Sequence, residues 1–495
     1  MKNIVKHIGA VGIVCSLCLA YPAAAQMSAQ SILEDSAEAM GGLQAIMQVD
    51  SLLMTGFSQT LNQDGGGSAS PDPKAPKKWA AQNGVERYFN LETGQAMQRQ
   101  RQGFLFPFAL AFGHSWAPTT QVQDGVDALN NPLVVLRAAL DSETSAISIE
   151  DDNIVVEFML DSNETVWLGI NQLSKLPTFV RWLGPHANLG EVTYTTWFSG
   201  YVPFDGIRLP SGFTTEIDWR DNVVTTFHID GYQINEPLPA FEGGGGGGFG
   251  ANEEPQVAVT EVADGVWDLR VGRNGGAVVE FEDHLLMFEV YGNESNSLAR
   301  IDAANQLVPG KQVTAVIMSH HHFDHSGGIR AAVSRGLTII SKRENEGILR
   351  EMTSRPAPNY PDALARNPQP LNFMPVDEHL VLEDSMRRVD VYEVVEHMHM
   401  TDAVFAYIPE YEILMQGDMF DIGWDWHWWS GNYQGSVEHW NLSPQTDIPV
   451  HGRVTTFAEV LANIQIQLDA AIEFCENNEA SGIYMAGCPV NYRAD

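Results

Sequence analysis

The run Ser319-His320-His321-His322-Phe323-Asp324-His325-Ser326-Gly327-Gly328 decides how this chain is read, because it sets four histidines and an aspartate within six positions. The residues before it, Thr314-Ala315-Val316-Ile317-Met318, are apolar and largely β-branched, the composition of a buried strand. After the glycine pair, Ile329 to Arg335 reads as a short helix-like segment. The cluster therefore lies on a loop at a strand end, where a rigid scaffold can aim side chains at one point. Imidazole and carboxylate are the ligands zinc takes when a water must stay exchangeable. No single helix or strand face presents His320, His322, Asp324 and His325 to one ion. A loop can divide them, His320 and His322 to one ion, Asp324 and His325 to a second. The alternative is a solvated polar loop, and the buried strand that leads into the cluster argues against it.

Around this stretch the chain divides by composition. Residues 1 to 25 have the form of a secretory signal peptide. Lys2 and Lys6 precede the apolar run Ile8 to Leu19, and Ala23-Ala24-Ala25 offers a small-residue cleavage site. That run is shorter than the roughly 20 residues a membrane span needs, so the mature protein is expected to be periplasmic or secreted, with no transmembrane segment. Of four cysteines, Cys15 and Cys18 would leave with the leader, and Cys475 and Cys488 remain as a disulfide pair for an oxidising compartment. The net charge of −35 becomes −37 once Lys2 and Lys6 are gone. So acidic a surface excludes nucleic acid as substrate, because phosphate binding needs basic groups, and points to a small molecule. It does not fix the oligomeric state.

Residues 27–240 contain no metal-ligand cluster. Ser31 to Met47 has helical spacing, with Leu33, Ala37, Met40, Leu43 and Met47 three or four apart and Gly41-Gly42 interrupting. Phe213 to Arg220 alternates apolar and polar residues, Arg220-Asp221-Asn222 makes a turn, and Val223 to Asp230 alternates again. With Val192 to Phe198 and Leu168 to Trp182 they form a half-solvated antiparallel sheet. The segment Tyr201-Val202-Pro203-Phe204-Asp205-Gly206-Ile207-Arg208-Leu209-Pro210 resembles periplasmic lipoprotein-carrier-like domains, which are curved half-barrel sheets. By that resemblance the sheet holds an apolar ligand, or else it only packs on its neighbour. Residues 241–255, with glycines from Gly243 to Gly248, read as a linker to a second domain at 256–495.

The cluster at 320–325 resembles the His-x-His-x-Asp-His signature of metallo-β-lactamase-fold hydrolases. The resemblance implies an αβ/βα four-layer sandwich for 256–495, joined to the N-terminal antiparallel curved sheet in a two-domain α+β/α/β chain. It also implies where the other ligands fall. Gly265 to Leu269 and Gly276 to Phe281 form a first hairpin, and His284 to Tyr291 the next strand, ending in Glu289 where the family often has aspartate. After the strand Val391 to Val395, His397 and His399 compete for the next ligand position, and the family's spacing back from Pro409 selects His399. Asp418, after Glu412 to Gly417, is the bridging aspartate, with Gly417 allowing a tight turn, and His451 after Ile448-Pro449-Val450 completes the set. True β-lactamases of the family generally lack that bridging aspartate, which turns the expectation toward other hydrolases of the superfamily. A helix from Thr456 to Phe474 closes the domain.

The set implies that His320, His322 and His399 hold one metal and Asp324, His325 and His451 a second, with Asp418 between them. Two zinc ions are expected, iron or manganese being the other metals such a site admits. A bridging hydroxide, positioned by Asp324 and Asp418 as the catalytic carboxylates, would attack an ester-, thioester-, lactone- or lactam-like bond. A mononuclear iron dioxygenase uses a subset of the same ligands, and an apolar-ligand-binding protein with an idle metal site is the non-enzymatic alternative. Trp424, Trp426 and Trp428, with Trp429 and Trp440, follow Asp418 closely enough to wall a substrate pocket or to pack against the N-terminal domain. His427 and His439, interleaved with them, are proton donors or surface groups.

Overall fold

The computed structural model describes residues 28–61, 80–92, 95–100, 104–105, 120–122, 129–237, 254–397, 399–422 and 431–480. Residues 1–27, the glycine run, Trp424, Trp426, His427, Trp428, Trp429 and Cys488 lie outside them. Among the described residues no helix is long and apolar enough to cross a membrane.

The alternating segments of the N-terminal half build one 12-stranded antiparallel sheet. Seven consecutive strands from Thr144–Glu150 to Asn222–Ile234 each pair with the next, and Ser51–Leu61 then pairs with Asn222–Ile234. The tight turn at Asp205-Gly206, with φ of 47° and 86°, fits the twist of a two-residue hairpin and sets Phe204 opposite Ile207. The expected helix before the sheet forms as two, Ala29–Met40 and Leu43–Met47. Ser28 caps the first by accepting from Ser31 N, and Gly41 at φ 141° ends it. Leu33, Ala37 and Met40, with Leu133 and Leu136 of the helix Pro132–Asp141, pack against Leu52, Val156, Leu168, Val180 and Phe213. Burying each such side chain contributes about 1.5–3 kcal/mol. Trp197 and Ile149 are exposed.

The C-terminal half contains two further sheets. In the seven-stranded one, Val257–Ala263, Val266–Val271, Asn274–Glu280 and Leu285–Phe288 are antiparallel neighbours. Val313–Ile317, Thr338–Lys342 and Asn372–Val376 follow in parallel. The six-stranded sheet runs His379–Glu383, Arg388–Glu393, Val404–Ile408, Ile413–Gln416, Thr446–Pro449 and Thr455–Thr456. Val279, Leu286, Phe288 and Ile317 from the first sheet share one core with Val391, Ala406, Met415 and Ile448 from the second. Tyr433, Val460 and Ile464 from the helices Asn432–His439 and Phe457–Ala480 pack with Phe405 and Leu414. The last helix runs past the expected end at Phe474, and Cys475 within it is disulfide-bonded.

Asp447 sits in this packing, fully buried, beside Tyr433 Oη and Gln416. Burial raises its carboxyl to about 7, against opposing hydrogen bonds from Tyr433 and Gln416. A carboxyl raised above its unfolded value near 3.9 favours the fold at low pH, and that contribution fades as pH rises through 7. Asp447→Asn keeps an acceptor for Tyr433 and removes the charge. We expect its unfolding free energy to match the parent's near pH 4 and to exceed it at pH 8 by on the order of 4 kcal/mol at 1.36 kcal/mol per pKa unit, read as a higher melting temperature at pH 8. Equal melting curves at pH 8 would remove Asp447 as a source of alkaline instability.

The two halves are packed together. Leu189, Val192, Ile217 and Trp219 of the large sheet join Ile329, Val333, Ile348 and Met352 in one core. Arg220 Nη2 lies 2.6 Å from Glu351 Oε1, and Arg355 Nη2 lies 2.8 Å from Asp218 Oδ1. Glu191 Oε2 accepts from Asn359 N at 2.8 Å and Tyr360 N at 3.1 Å.

Candidate metal centre

The site assembles where strands of both C-terminal sheets end. The cluster follows Val313–Ile317, Asp418 follows Ile413–Gln416, His451 follows Thr446–Pro449, and His399 lies beyond Arg388–Glu393. Val404 N donates to Ser319 O at 2.8 Å, which ties the second sheet to the start of the cluster.

The chain brings two groups of donor atoms together, one of His320, His322, His399 and Asp418, the other of Asp324, His325 and His451, each within 4.8 Å. Asp418 joins them through its two oxygens. Oδ2 lies 2.8 Å from His399 Nε2 and 3.7 Å from His320 Nε2, whereas Oδ1 lies 3.0 Å from His325 Nε2 and 3.1 Å from His451 Nε2. Asp324 Oδ2 stands 3.5 Å from His325 Nε2 and 3.7 Å from His451 Nε2, and half of its side chain is exposed. That exposure marks the open side of the site.

The outer ring nitrogens are held from behind, which leaves the inner ones free to act as donors to a cation. His320 Nδ1 donates to Ser319 Oγ at 3.0 Å, and Ser319 Oγ donates to Glu289 Oε2 at 2.5 Å. His325 Nδ1 donates to the same Glu289 oxygen at 3.2 Å, and His451 Nδ1 donates to Asn274 Oδ1 at 2.9 Å. Glu289, the departure from the family's usual aspartate, therefore anchors one histidine of each group. It is fully buried and holds a φ of 81°, costly for a non-glycine residue but fixed here by Glu289 N bonding to Ile317 O at 2.8 Å.

The residues fit a divalent cation. His320 Nε2 is buried and makes no hydrogen bond, though it points at a carboxylate. Burial, with the neighbouring charges of His325 and His322, lowers His320 well below its ordinary value, so its lone pair is available. Burial alone would raise Asp418, but the imidazoles of His325, His399 and His451 hold it well below the usual carboxylate range. Burial opposes charge on His451 too, yet hydrogen bonds to Asp324 and Asp418 push it up to about 9. A cation entering the second group displaces that proton.

The two competing histidines, His397 and His399, stand differently with respect to the first group. His399 stands in the first group, while His397 is buried with Nε2 3.5 Å from Met419 O, its ring 6.3 Å from that of His399. His399→Ala is expected to lower the bound-metal content of purified protein by about one ion per chain, and His397→Ala to leave it unchanged. Metal analysis of the two variants decides, and the reverse pattern would exchange their roles.

Gly417 lies in a bend that does not use a positive φ. It is needed for space, because a Cβ there would stand 2.5 Å from Ser319 Oγ. Trp440 packs on Tyr392 at 4.9 Å and donates to Glu393 O, and His439 is exposed beside it, so neither walls the site. Sequence reading missed Ser319, Asn274 and Tyr291, whose ring stands edge-on to His325 at 5.5 Å and to His451 at 4.9 Å. It also left His321 without a role. His321 Nδ1 lies 3.2 Å from the buried Asp402 and supports the loop from within. Only their nearness in space, not any spacing along the chain, marks these residues.

Residues 277–431 match the family model described as metallo-beta-lactamase superfamily. A 74-residue stretch is 34% identical to a linear primary-alkylsulfatase from Pseudomonas sp, covering 15% of this chain and 11% of that protein. The chain thus spans about a tenth of the curated relative it matches. Among solved structures, the metallo-beta-lactamase from Pontibacter korlensis is 14% identical, with 43% of this chain and 99% of that chain covered at a TM-score of 0.35. One from Hirschia baltica is 16% identical, with 43% and 97% covered and a TM-score of 0.33.

Proposed function

We propose, from the match of residues 277–431 to the metallo-beta-lactamase superfamily model, that the chain is an exported hydrolase with two zinc ions in an αβ/βα sandwich, cleaving a small acyl or sulfate ester. One observation carries the reading, the division of the Asp418 oxygens between two groups of imidazoles. A carboxylate so placed could serve both groups if each held a cation. His320, His322 and His399 would hold one, and Asp324, His325 and His451 the other. When bound, zinc polarises the oxygen of the scissile bond and makes a water acidic near neutral pH.

The protein's own groups do the rest. Asp324, on the open side, and Asp418 orient the attacking water and accept its hydrogen bond. Glu289 and Asn274 keep the imidazoles from rotating as charge develops. Among substrate classes, esters, thioesters, lactones and lactams suit this chemistry, and the short alkylsulfatase match supports adding sulfate esters. The leader-like residues 1–25 support export, and the sheet Ser51–Ile234 is read as a separate N-terminal domain.

The test is metal analysis of protein purified without chelators, beside a hydrolysis screen of chromogenic esters, thioesters, lactones, a cephalosporin and an alkyl sulfate. About two zincs per chain with one class turned over is the expected result. Turnover of none by zinc-loaded protein would overturn it.

A further inference from the structure

We infer that Asn188, in the N-terminal sheet, is a positioning residue for the metal centre, an inference that rests on the metal reading above. Asn188 lies in the connection between the strands Pro177–His186 and Gly190–Phe204 and is 2% exposed. Its Nδ2 donates to Phe323 O at 2.8 Å and to Ser326 Oγ at 2.8 Å. Ser326 Oγ donates in turn toward His321 O at 3.0 Å and His322 O at 2.9 Å. Phe323 is the residue between His322, of the first group, and Asp324, of the second. One amide from the other half of the molecule thus fixes the peptide that sets the two groups apart.

The Phe323 ring is clamped from the same side. His186 meets it edge-on at 5.3 Å, and Trp219 lies tilted at 5.5 Å. The connection is held close by Gly190, at φ 76°, where a Cβ would fall 2.6 Å from the buried Arg330 guanidinium. Simple docking does not require this arrangement. The Arg220–Glu351 and Arg355–Asp218 pairs and the Glu191 contacts join the halves at other loops, whereas Asn188 reaches the ligand loop itself. Groups that hydrogen-bond metal ligands typically govern affinity by about 10–100-fold, and Asn188, which acts through the Phe323 and Ser326 contacts, belongs at the lower end of that range.

The experiment is a cobalt(II) titration of the full-length protein after chelation, followed by visible absorption, for the parent, Asn188→Ala and Asn359→Ala. The expected result is weaker binding of at least one cobalt by roughly tenfold and a shifted absorption band in Asn188→Ala. Asn359→Ala, which removes the Asn359 Nδ2 to Glu191 Oε1 hydrogen bond between the halves, should melt lower yet bind cobalt as the parent does. Should Asn188→Ala not fold, Asn188→Ser, too short to reach both acceptors, gives the same comparison. A parent-like titration in the folded Asn188 variant overturns the inference, and so does an equal loss in Asn359→Ala, which would reduce Asn188 to general interface stability. A parent that binds no cobalt overturns the metal reading first.

Discussion

Asp418→Ala is expected to reduce bound zinc from about two ions to one or none and to lower hydrolysis by at least 10³-fold, a barrier increase of about 4 kcal/mol. The size follows from position. Its two oxygens lie within 2.8–3.1 Å of His399, His325 and His451, so one substitution removes the negative charge that both groups share. The imidazoles left behind would have to hold two cations with no shared carboxylate to offset the repulsion between them. The strands of the large sheet contribute nothing to this cluster and should keep their circular dichroism. A folded variant that retains two zincs would show that the groups hold metal independently, and the bridging role would fall.

Chelation should have the second large effect, on stability. A ligand that binds only the folded state stabilises it by about 4.1 kcal/mol at a thousand times its dissociation constant. At roughly 2–4 °C per kcal/mol for a domain of this size, the chelated protein should melt about 8–16 °C lower, and added zinc should restore it. The cause is visible in the site, where the buried His320 Nε2 has no hydrogen bond and His451 holds a proton only through Asp324 and Asp418. Calorimetry with and without chelator measures the difference. Identical curves would mean that protons, not a cation, satisfy these groups.

What was legible in the sequence is what is local. Alternation in Phe213 to Ile217 follows the observed burial, because one face of that strand meets a core and the other does not. The apolar run Ile413–Gln416 is a strand buried on both sides, Val313–Ile317 is buried except at Thr314 and Ala315, and the ends of both lead into the candidate metal site. The residues that fix the donors were less visible. Glu289 meets His325 only once two strands of one sheet have paired, 36 positions apart in the chain, and Asn274 meets His451 only once two sheets have packed, 177 positions apart. The same holds for Asn188, 135 residues from the carbonyl it binds. At Gly417 the bend was legible but the need for room beside Ser319 was not, because only packing brings the two together.

The shared core of Leu189, Val192, Ile217 and Trp219 with Ile329, Val333 and Met352 also bears on how the protein is made. Synthesis runs from the N-terminus, so the large sheet is complete while the segments that cover these four side chains are still unmade. Until residues past Met352 emerge, the nascent chain carries an uncovered greasy patch that a holdase chaperone would recognise. A chain stopped at Pro255 should therefore be sticky and bind hydrophobic dyes, whereas the complete protein should not.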